Sequence, residues 1–590
     1  MKPSGNLPGL LPGFAAFVAV ILPTVAFGAP GAMLPWTTYE AELAQTNGNV
    51  IAPSDVAFTP VFEASGRSCV QLDSTSEFVE IKAKSDANGI VFRYSIPDSK
   101  DGRGLDATLG LYINDQLKTR LNLTSKLTHL YGPYPFNNDP SAGSPRNFWD
   151  EVRVMPGEIR AGDVIRIQKD ADDSASEYLI DFIDLETVPA PIEQPADSLS
   201  ITEFGASAND SSDDRPACLK TIDAAKAQKK SVWIPAGQFV IQGAIDVSDI
   251  TIQGAGMWHS TLIGVDDYKP ENRIAFYGRG SNITLSDFAI IGKLNYRNDS
   301  EPNDGIGESF GTGSKIRNLW VEHTKAGAWL VNSDGLTIEG CRFRNNIADG
   351  INLCVGMKNT TVKNCTARGT GDDCFAMWPA TYAESNYSHG NNRYLNCTAQ
   401  LPFLAQAFSI YGGDSNSVED CLAIDIPYGA GLYASTTFPT ESGFQGTTIY
   451  RNNKVIRAGG TEGAIGTVAN RIDLVGVRFE AIELIDSRND GIKFISLNQR
   501  VLKDATFDRI KIENAGTSGN GHAIVEADGA VGSATLSNIT ISNTKNPWQD
   551  NAPAFELIFG EGNSGLKANE QSSATPSCCD TVSRGAHIAK

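Results

Sequence analysis

Charged residues, and clustered positive charge in particular, are scarce in this sequence of 590 residues. Asp, Glu, Lys and Arg make up 20% of the chain, the net charge is −20, and no long cluster of Lys and Arg occurs. Nucleic acids and anionic membranes attract clustered cations, so this composition argues against both as partners. It also weakens the case for a polyanionic substrate.

Several catalytic motifs are missing as well. The chain has no His-Glu-x-x-His, no Cys-x-x-Cys and no phosphate-binding glycine loop, so metalloprotease, redox and nucleotide chemistry find no support. Beyond the N-terminus, no stretch approaches the roughly 20 apolar residues that a membrane span needs. Glycine, in contrast, is abundant at 57 residues, which favours a turn-rich β architecture over helical bundles.

Residues 1–28 are typical of a secretory signal peptide. Lys2 is followed by an apolar run from Phe14 to Val25 and then by small residues. The run is short and is broken by Pro23, which makes a membrane anchor the weaker interpretation. We therefore expect a protein that is secreted to the extracellular space.

Residues 29–188 predict an N-terminal antiparallel β-sandwich. Short alternating strands such as FVEIKA and GIVFRYSI are separated by turns rich in Gly, Pro, Asn and Asp. The opening YEAEL and the closing YLIDFIDLE resemble the ends of carbohydrate-binding modules of family 6 or 35. The resemblance implies a glucan-binding module with a structural calcium ion (Ca2+) held by Glu40, Glu42 and Asp181. Carboxylates on strands also occur on a plain solvated face, which is the alternative.

A Pro-rich linker at residues 189–197 leads into a second domain at residues 198–562. Its first part has a Phe-Gly-Ala turn, an Asp-rich loop, a helix with apolar residues at Ala217, Ile222 and Ala225, and a strand that ends in Pro-Ala-Gly. This pattern resembles the entry to right-handed parallel β-helices of the pectate-lyase type. There the helix caps the open end of the solenoid.

From about residue 250, related segments recur at intervals of 22 to 33 residues. LTIEGCRFRN, TTVKNCTARG and NSVEDCLAID illustrate one motif, and DGINL, DDCFAMW and DGIKF illustrate a second motif in phase with it. A fixed period with two motifs in phase predicts a parallel β-solenoid and is not explained by an antiparallel sandwich. The predicted fold class is therefore all-β: a right-handed parallel β-helix with an N-terminal β-sandwich, followed by a disordered tail at residues 563–590.

The repeat brings carboxylates together. Cys341 precedes Asp349 by eight residues, and Cys365 precedes Asp373 by eight residues, so the two aspartates occupy one position in adjacent coils about 4.8 Å apart. Asp372 lies beside them. Like charges at this distance raise one pKa and leave others ionised, as glycoside hydrolysis by carboxyl groups requires. A lone Asp-Gly pair is more typical of a turn, but three adjacent carboxylates are not explained in that way.

The DGI and GDD segments, 23 residues apart, and the sandwich-plus-solenoid layout resemble glycoside hydrolase family 87, the α-1,3-glucanases and mycodextranases. The resemblance implies an inverting enzyme that hydrolyses α-1,3-glucosidic linkages in α-1,3-glucan or nigeran, with Asp349, Asp372 and Asp373 as catalytic residues. The spacing adds a hypothesis on their roles: Asp349 and Asp373 hold and deprotonate the water, and Asp372 is the acid. We expect no cofactor for catalysis, a polysaccharide substrate and a monomer.

Five further residues are candidates for substrate binding: Asp304, Trp329, Trp378, Tyr411 and Tyr433. The four aromatic residues fall on or just after the same strand position in successive coils, where rings can stack on glucose. Aromatic residues in a solenoid are more often part of the core, which is the alternative. Asp304 lies on the same face two coils before Asp349, and it either contacts a sugar or forms a turn.

The cysteines allow two interpretations. Four of them occupy the same place in successive coils and predict a stacked ladder of buried thiols: Cys341, Cys365, Cys397 and Cys421. Cys354 and Cys374 are the candidates for a disulfide bridge, although a sequence alone does not fix connectivity.

Three other functions are alternatives. A polygalacturonase shares the fold and a similar Asp, Asp-Asp arrangement, but this chain has Ile-Ala-Asp in place of Asn-Thr-Asp, and neither histidine nor cation in the coil after Asp373. A pectate lyase needs Ca2+ and a basic residue that accepts the proton, and no such basic cluster occurs. A noncatalytic solenoid that binds carbohydrate would bind without turnover.

Overall fold

The structure is a computed structural model that describes residues 29–266, 269–303, 305–440 and 442–566. The predicted signal peptide, Asp304 and most of the predicted tail lie outside these residues. Within them, the predicted all-β architecture is confirmed, because an antiparallel β-sandwich precedes a parallel β-helix. No helix in the described ranges has the length and apolar character to cross a membrane.

The sandwich consists of two antiparallel sheets. Buried and exposed residues alternate along its strands: Val79 and Ile81 are buried, whereas Lys82 is exposed, so one face of each sheet packs into the core. The first sheet contains Trp36–Glu40, Asn49–Ile51, Cys69–Leu72, Gly89–Ser95, Asp150–Val154 and Tyr178–Glu186. The second contains Gln45–Thr46, Phe78–Lys82, Asp106–Ile113, Gln116–Thr124 and Val164–Gln168. Short 3₁₀ helices of the described chain are Ala41–Leu43, Pro60–Glu63, Ser65–Arg67, Pro140–Ala142, Ile201–Phe204 and Pro270–Asn272.

The first sheet of the sandwich faces the β-helix with charged residues. Arg342 of the β-helix donates two hydrogen bonds of 2.7 Å to the carboxylate of Glu186. Arg368, one coil further, donates bonds of 2.6 and 2.8 Å to the carboxylate of Glu151. All four side chains are buried, and breaking one partner of such a pair would leave an uncompensated buried charge. The pairs therefore fix the sandwich to two adjacent coils.

The Pro-rich segment between the two units lies along the first coils. Val188 packs against Trp258 and Trp320, and the amide of Ile192 donates a hydrogen bond of 2.9 Å to the carbonyl of Ala255. The segment is thus held by the β-helix.

The β-helix is built from two long parallel sheets of 12 and 25 strands. The 12-stranded sheet contains Ala244–Val247, Ala275–Gly280, Gly305–Phe310, Ala328–Leu330, Ile351–Leu353, Phe375–Met377, Phe408–Ile410, Leu432–Ser435, Ile465–Ala469, Ile492–Ser496, Ile524–Glu526 and Trp548–Asp550. The 25-stranded sheet contains Ser198–Ser200, Ser231–Ile234, Gly237–Val240, Thr251–Gly254, Ser260–Ile263, Thr284–Ser286, Ala289–Ile291, Lys315–Arg317, Trp320–Glu322, Thr337–Glu339, Arg342–Arg344, Thr361–Lys363, Thr366–Arg368, Arg393–Leu395, Thr398–Gln400, Ser417–Glu419, Leu422–Ile424, Thr448–Arg451, Lys454–Ile456, Leu474–Val475, Val477–Ile485, Leu502–Glu513, Val531–Ser537, Thr540–Ser542 and Ala554–Phe559. A small third sheet pairs Gly413–Asp414 with Phe444–Gln445.

The repeated motif produces a corner and an interior column. Between two short strands of each coil the chain turns at a residue with positive φ, such as Asn318 (49°), Gly340 (66°), Asn364 (52°) and Asn396 (49°). Asn and Gly tolerate this left-handed conformation, which explains why they recur before the strand.

Residues in register across adjacent coils form a fully buried column: Ile338, Val362, Tyr394, Val418, Tyr450, Phe479 and Phe507.

The helix Arg215–Gln228 closes the N-terminal end of the solenoid. Ala217, Ile222 and Ala225 are buried and belong to the same hydrophobic core as the coils. The predicted capping helix is therefore confirmed.

The predicted ladder of thiols is confirmed, and the predicted disulfide is wrong. The four ladder cysteines are free and buried, and the amide of Cys341 lies 3.3 Å from the sulfur of Cys365 in the next coil. Cys354 and Cys374 are also free and fully buried. Each packs in the interior as a small apolar side chain, so no bridge is needed to account for its position.

Candidate active site

Asp349 and Asp373 lie at the same position of adjacent coils. Each stands two residues before a strand, and those strands pair Ile351 with Phe375. The amide of Gly350 donates a hydrogen bond of 3.0 Å to the carbonyl of Asp373, which continues the pairing into the turn. The strand register thus produces the stacking that the repeat indicated.

Asp372 joins the pair through a tight turn. A Cβ atom at Gly371 would lie 2.0 Å from the carbonyl oxygen of Ile347, so only glycine fits before the two aspartates. Asp349, Asp372 and Asp373 each have a carboxylate oxygen within 4.8 Å of the others. Asp349 and Asp373 are 5% and 3% exposed, whereas the side chain of Asp372 is 26% exposed. Asp372 is therefore the carboxylate that faces the cleft.

Asp373 is held by three hydrogen-bond donors. Its Oδ1 accepts from the amide of Gln406 at 2.9 Å, and its Oδ2 accepts from the hydroxyls of Ser409 at 2.6 Å and Tyr411 at 2.7 Å. Burial and then the charge of Asp372 raise the pKa of Asp373 to about 7, although the three donors favour the ionised form. The carboxylate is thus fixed in orientation and titrates near neutral pH.

The surroundings of Asp349 favour its protonated form. Burial, followed by the charges of Asp372 and Asp373, raises the pKa of Asp349 well above its usual value. Because the three groups interact, the proton belongs to the cluster rather than to one side chain alone. Raised pKa values on two of three neighbouring carboxyl groups favour a proton shared within the cluster, which is the kind of arrangement that acid–base catalysis uses.

Arg297 supplies a positive charge that the sequence analysis missed. Its Nη2 donates a hydrogen bond of 2.6 Å to Oδ2 of Asp372, and its Nη1 donates one of 3.1 Å to the carbonyl of Gly371. Its Nε bonds to Asp299 at 2.9 Å. Burial opposes the charge, but the carboxylates of Asp372 and Asp299 raise the pKa of Arg297 above its usual value. The ring of Tyr134, from the sandwich, lies 4.9 Å from the guanidinium.

The three aspartates lie in a cleft of about 820 Å³ with an aromatic wall. The predicted residues Trp329 and Trp378 line it, with their rings edge to face and the centroids 6.2 Å apart. Nε1 of Trp329 donates a hydrogen bond of 2.9 Å to the hydroxyl of Tyr382, which is 58% exposed. Phe438 packs on Trp378 at 5.5 Å. Tyr382 and Phe438 come from loops that follow the strands Phe375–Met377 and Leu432–Ser435.

Tyr411 and Tyr433 have surroundings that differ from the predicted ones. Both are 5% exposed, and the Tyr433 ring lies 6.0 Å from the Tyr411 ring. Tyr411 nevertheless lines the cleft, whereas Tyr433 does not, so the alternative interpretation as a core residue fits Tyr433 better. Tyr411 contacts Asp373 through its hydroxyl instead. Asp304, the remaining binding candidate, lies outside the described residues.

The predicted calcium ligands lie where the sandwich meets the β-helix. Glu40 and Glu42 each have one buried oxygen without a hydrogen-bond partner. Burial, then the charges of Asp181 and Glu42, raise the pKa of Glu40 to about 8. Asp181 accepts a hydrogen bond of 3.0 Å from the amide of Ser65 and pairs with Arg93. Both oxygens of Asp181 are thus engaged. Among the described residues, these three carboxylates do not form a group whose oxygens all lie within 4.8 Å of one another.

Two family models match this chain. The alpha-1,3-glucanase catalytic domain D1 matches residues 33–188, and the alpha-1,3-glucanase catalytic domain D2 matches residues 210–461. They correspond to the sandwich and to most of the β-helix, and together they cover more than two thirds of the chain.

Solved structures agree with the family models. The crystal structure of the Agl-KA catalytic domain is 29% identical, covers 91% of this chain and 100% of its own, and has a TM-score of 0.84. The catalytic unit of a thermostable GH87 alpha-1,3-glucanase from Streptomyces thermodiastaticus strain HF3-3 is 29% identical, with coverages of 91% and 97% and a TM-score of 0.79. A GH87 alpha-1,3-glucanase catalytic domain in complex with nigerose is 27% identical, with coverages of 90% and 99% and a TM-score of 0.80.

A more distant similarity links part of the chain to a curated protein. Mannuronan C5-epimerase AlgE3 of Azotobacter vinelandii is 27% identical over 217 residues, which are 33% of this chain. The chain covers 10% of the length of that relative. The matches over both structural units outweigh this partial one, and the chain belongs to glycoside hydrolase family 87, the family of the α-1,3-glucanases.

Proposed function

We propose that this glycoside hydrolase cleaves α-1,3-glucosidic bonds in α-1,3-glucan or nigeran with inversion, and that Asp349, Asp372 and Asp373 carry the reaction. The observation that carries the proposal is the cluster of three carboxylates in the floor of the cleft. Inverting hydrolysis needs one group that protonates the leaving oxygen and another that accepts a proton from water on the opposite face of the sugar. The anomer released first tests the proposal.

Structures of relatives support the residues and the substrate. Three structures of GH87 alpha-1,3-glucanase catalytic domains contain single aspartate-to-alanine substitutions, of which the first two lie 23 residues apart and the last two are adjacent. Asp349, Asp372 and Asp373 have the same spacing. Those structures contain nigerose or tetrasaccharides, which supports an α-glucan as the ligand of this cleft.

Asp372 suits the role of the acid. Its side chain is the most exposed of the three, so it can reach a glycosidic oxygen in the cleft. The guanidinium of Arg297 stabilises the carboxylate that remains after the proton has left. Since the pKa of Asp349 is raised well above its usual value, the retained proton starts there and passes to Asp372 within the cluster. Asp349 and Asp373 are then ionised and accept the proton of the attacking water.

The spacing of the carboxyl groups favours a second candidate, retention. Inverting glycosidases usually separate their carboxyl groups by about 6.5–9.5 Å, and retaining ones by about 5–5.5 Å. Here the nearest oxygens lie within 4.8 Å. A retaining enzyme, however, needs a carboxylate that reaches the anomeric carbon directly. Asp349 and Asp373 line the cleft but are only 5% and 3% exposed, which suits the activation of a water better than direct attack on the sugar, and for this reason we favour inversion.

A neutral glucan fits the charges of the cleft better than a uronic acid polymer does. Three cations line it, and each has a partner: Arg297 is paired with Asp372 and Asp299, and Nζ of Lys325 donates to the backbone carbonyl of Asn298 at 3.1 Å. Arg279 is paired with Asp246 and Glu308. This argues against the polygalacturonase alternative.

Export and action as a monomer complete the proposal. The pattern of residues 1–28 supports secretion to the extracellular space, where a polymeric glucan is accessible.

The N-terminal module holds a structural Ca2+ ion in this proposal. The unpartnered buried oxygens of Glu40 and Glu42 support it, since calcium prefers oxygen ligands and relieves the repulsion between buried carboxylates. Asp181 is left out of the ligand set, because it bonds to Arg93 and to the amide of Ser65.

A further inference from the structure

The segment 292–303 carries Arg297 to the acid of the cluster, and it is a loop rather than part of a coil. It connects the strands Ala289–Ile291 and Gly305–Phe310. The residues around Arg297 belong to no strand and form no β-ladder with a neighbouring coil. The position of Arg297 therefore depends on side-chain contacts.

The β-helix holds one side of this segment. The guanidinium of Arg273 pairs with Glu301. Nδ2 of Asn298 donates a hydrogen bond of 3.0 Å to Oε1 of Glu301, and Lys325 donates to the carbonyl of Asn298 at 3.1 Å. These contacts anchor the residues that follow Arg297.

The sandwich holds the other side. The hydroxyl of Tyr134 donates a hydrogen bond to Asp299, and the same ring covers the guanidinium of Arg297 at 4.9 Å. Nδ2 of Asn138, four residues further along the sandwich loop, donates a bond of 2.9 Å to the carbonyl of Asn295. Tyr134 and Asn138 of one sandwich loop thus hold the segment on both sides of Arg297, at Asp299 and at Asn295.

We propose that Tyr134 of the sandwich is a positioning residue for the reaction, because it holds Arg297 and Asp299 in the geometry that pairs Arg297 with Asp372. The proposal rests on the proposed function of the cluster and deepens it. The sandwich then has a role in catalysis in addition to any binding of glucan, because its Tyr134 keeps the positive charge of Arg297 beside the carboxyl group of Asp372.

Tyr134 matters for the reaction because the charge of Arg297 acts on the whole carboxylate cluster. Three carboxylates share one small site, and Arg297 is hydrogen-bonded to one of them, Asp372. Its charge lowers the proton affinity of the whole cluster, and it acts at full strength only at the observed separation of 2.6 Å. A small displacement of the guanidinium therefore changes the pKa values of the acid, Asp372, and of the base, Asp349 and Asp373, together. It lowers the rate of hydrolysis even when the sugar still binds.

Tyr134→Phe tests the proposal in the full-length enzyme, since it removes the bond to Asp299 and keeps the ring. We expect kcat on a soluble α-1,3-linked oligosaccharide to fall roughly three- to tenfold, as the loss of one hydrogen bond predicts, with little change in KM. Both limbs of the pH profile of kcat/KM should move to higher pH, because a weaker positive charge leaves the carboxyl groups harder to ionise. Arg297→Met should move the limbs further in the same direction, with partial rescue by Arg297→Lys.

Tyr131→Phe is the matched control. Tyr131 lies in the same loop, but its hydroxyl donates to Asp98 within the sandwich at 2.8 Å, so its pH profile should equal that of the wild type. An unchanged profile and kcat for Tyr134→Phe beside an impaired Arg297→Met would overturn the proposal. An equal shift in Tyr131→Phe would also overturn it, since the effect would then be a general one on the loop. A wild-type enzyme without hydrolytic activity would instead overturn the proposed function itself, and this inference with it.

Discussion

Arg297 donates a hydrogen bond of 2.6 Å to Oδ2 of Asp372, and Asp372 is the most exposed of the three clustered carboxylates. The group best placed to meet the glycosidic oxygen is therefore also the one whose ionised form has a fixed counterion. Asp349 and Asp373 lie deeper, where burial and mutual repulsion retain a proton. This division of one cluster into an exposed, paired carboxylate and two buried ones leads to the following predictions.

Asp372→Asn should separate the acid from the base. We expect a loss of about 100- to 10,000-fold on the polymer, because protonation of the leaving oxygen disappears. An aryl glycoside with a good leaving group needs no such protonation and should be cleaved at close to the wild-type rate. Asp373→Asn should lose activity on both substrates, since the water is then no longer activated. Rates on the two substrates measure this, and an equal loss on both in Asp372→Asn would count against the acid role.

Asp349→Asn should abolish hydrolysis. It should also stabilise the fold relative to the wild type, by an amount that increases with pH. A carboxyl group whose pKa is raised by folding stabilises the protein fully only below its unfolded pKa of about 3.9, and this contribution is lost as the pH rises toward the folded value. The amide has no such loss, so its advantage in unfolding temperature over the wild type should grow from pH 4 to pH 8. Thermal unfolding at several pH values measures it.

Asp490→Asn is the control for that experiment. Asp490 begins the same Asp-Gly motif in a later coil, but Lys493 pairs with it at 2.9 Å. Its replacement should bring no gain that increases with pH. A constant or declining difference for Asp349→Asn would contradict the buried, proton-retaining state of Asp349.

Trp329→Ala should weaken substrate binding. The indole lines the cleft beside Trp378, and the loss of one aromatic face is expected to raise KM roughly tenfold with little change in kcat. Trp548→Ala, a half-buried tryptophan near the end of the solenoid, is the matched control and should keep the wild-type KM. A fall in kcat at constant KM would show that Trp329 acts in the chemical step instead of in a sugar subsite.

Calcium should raise the unfolding temperature of the enzyme through Glu40 and Glu42. A ligand that binds only the folded state at a hundredfold excess over its Kd stabilises by about 2.7 kcal/mol. Thermal unfolding in CaCl2 and in EDTA measures the effect, which Glu42→Gln should abolish. Glu158→Gln, at an exposed carboxylate of the sandwich, should keep it. No difference between CaCl2 and EDTA in the wild type would contradict a calcium site.

The periodic part of this molecule could be predicted from the sequence. The 24-residue spacing of Cys341 and Cys365 fixed the register, and the register then placed Asp349 beside Asp373. In a parallel solenoid the neighbours in space follow directly from the period, because each coil contacts only the adjacent coils.

The residues that the sequence could not reveal come from outside the period. Arg297 lies 75 residues before Asp372, in a loop without a repeat, and Tyr134 belongs to another domain. The position of Tyr411 in the coil can be read from the period, and it suggested a ring that stacks on sugar. The period does not show that the hydroxyl of Tyr411 points toward Asp373. The prediction of a Cys354–Cys374 bridge failed for a related reason: adjacent coils bring cysteines near each other without any need to join them.

The anomeric configuration of the first product tests the central claim most directly. Proton NMR during the first minutes of digestion of α-1,3-glucan and of nigeran follows new anomeric signals before mutarotation. The account predicts that the β-anomer appears first, and the faster polymer identifies the preferred linkage pattern. Early release of the α-anomer would establish retention and contradict the assigned roles of Asp349 and Asp373, and the absence of new reducing ends from both polymers would contradict the proposed substrate.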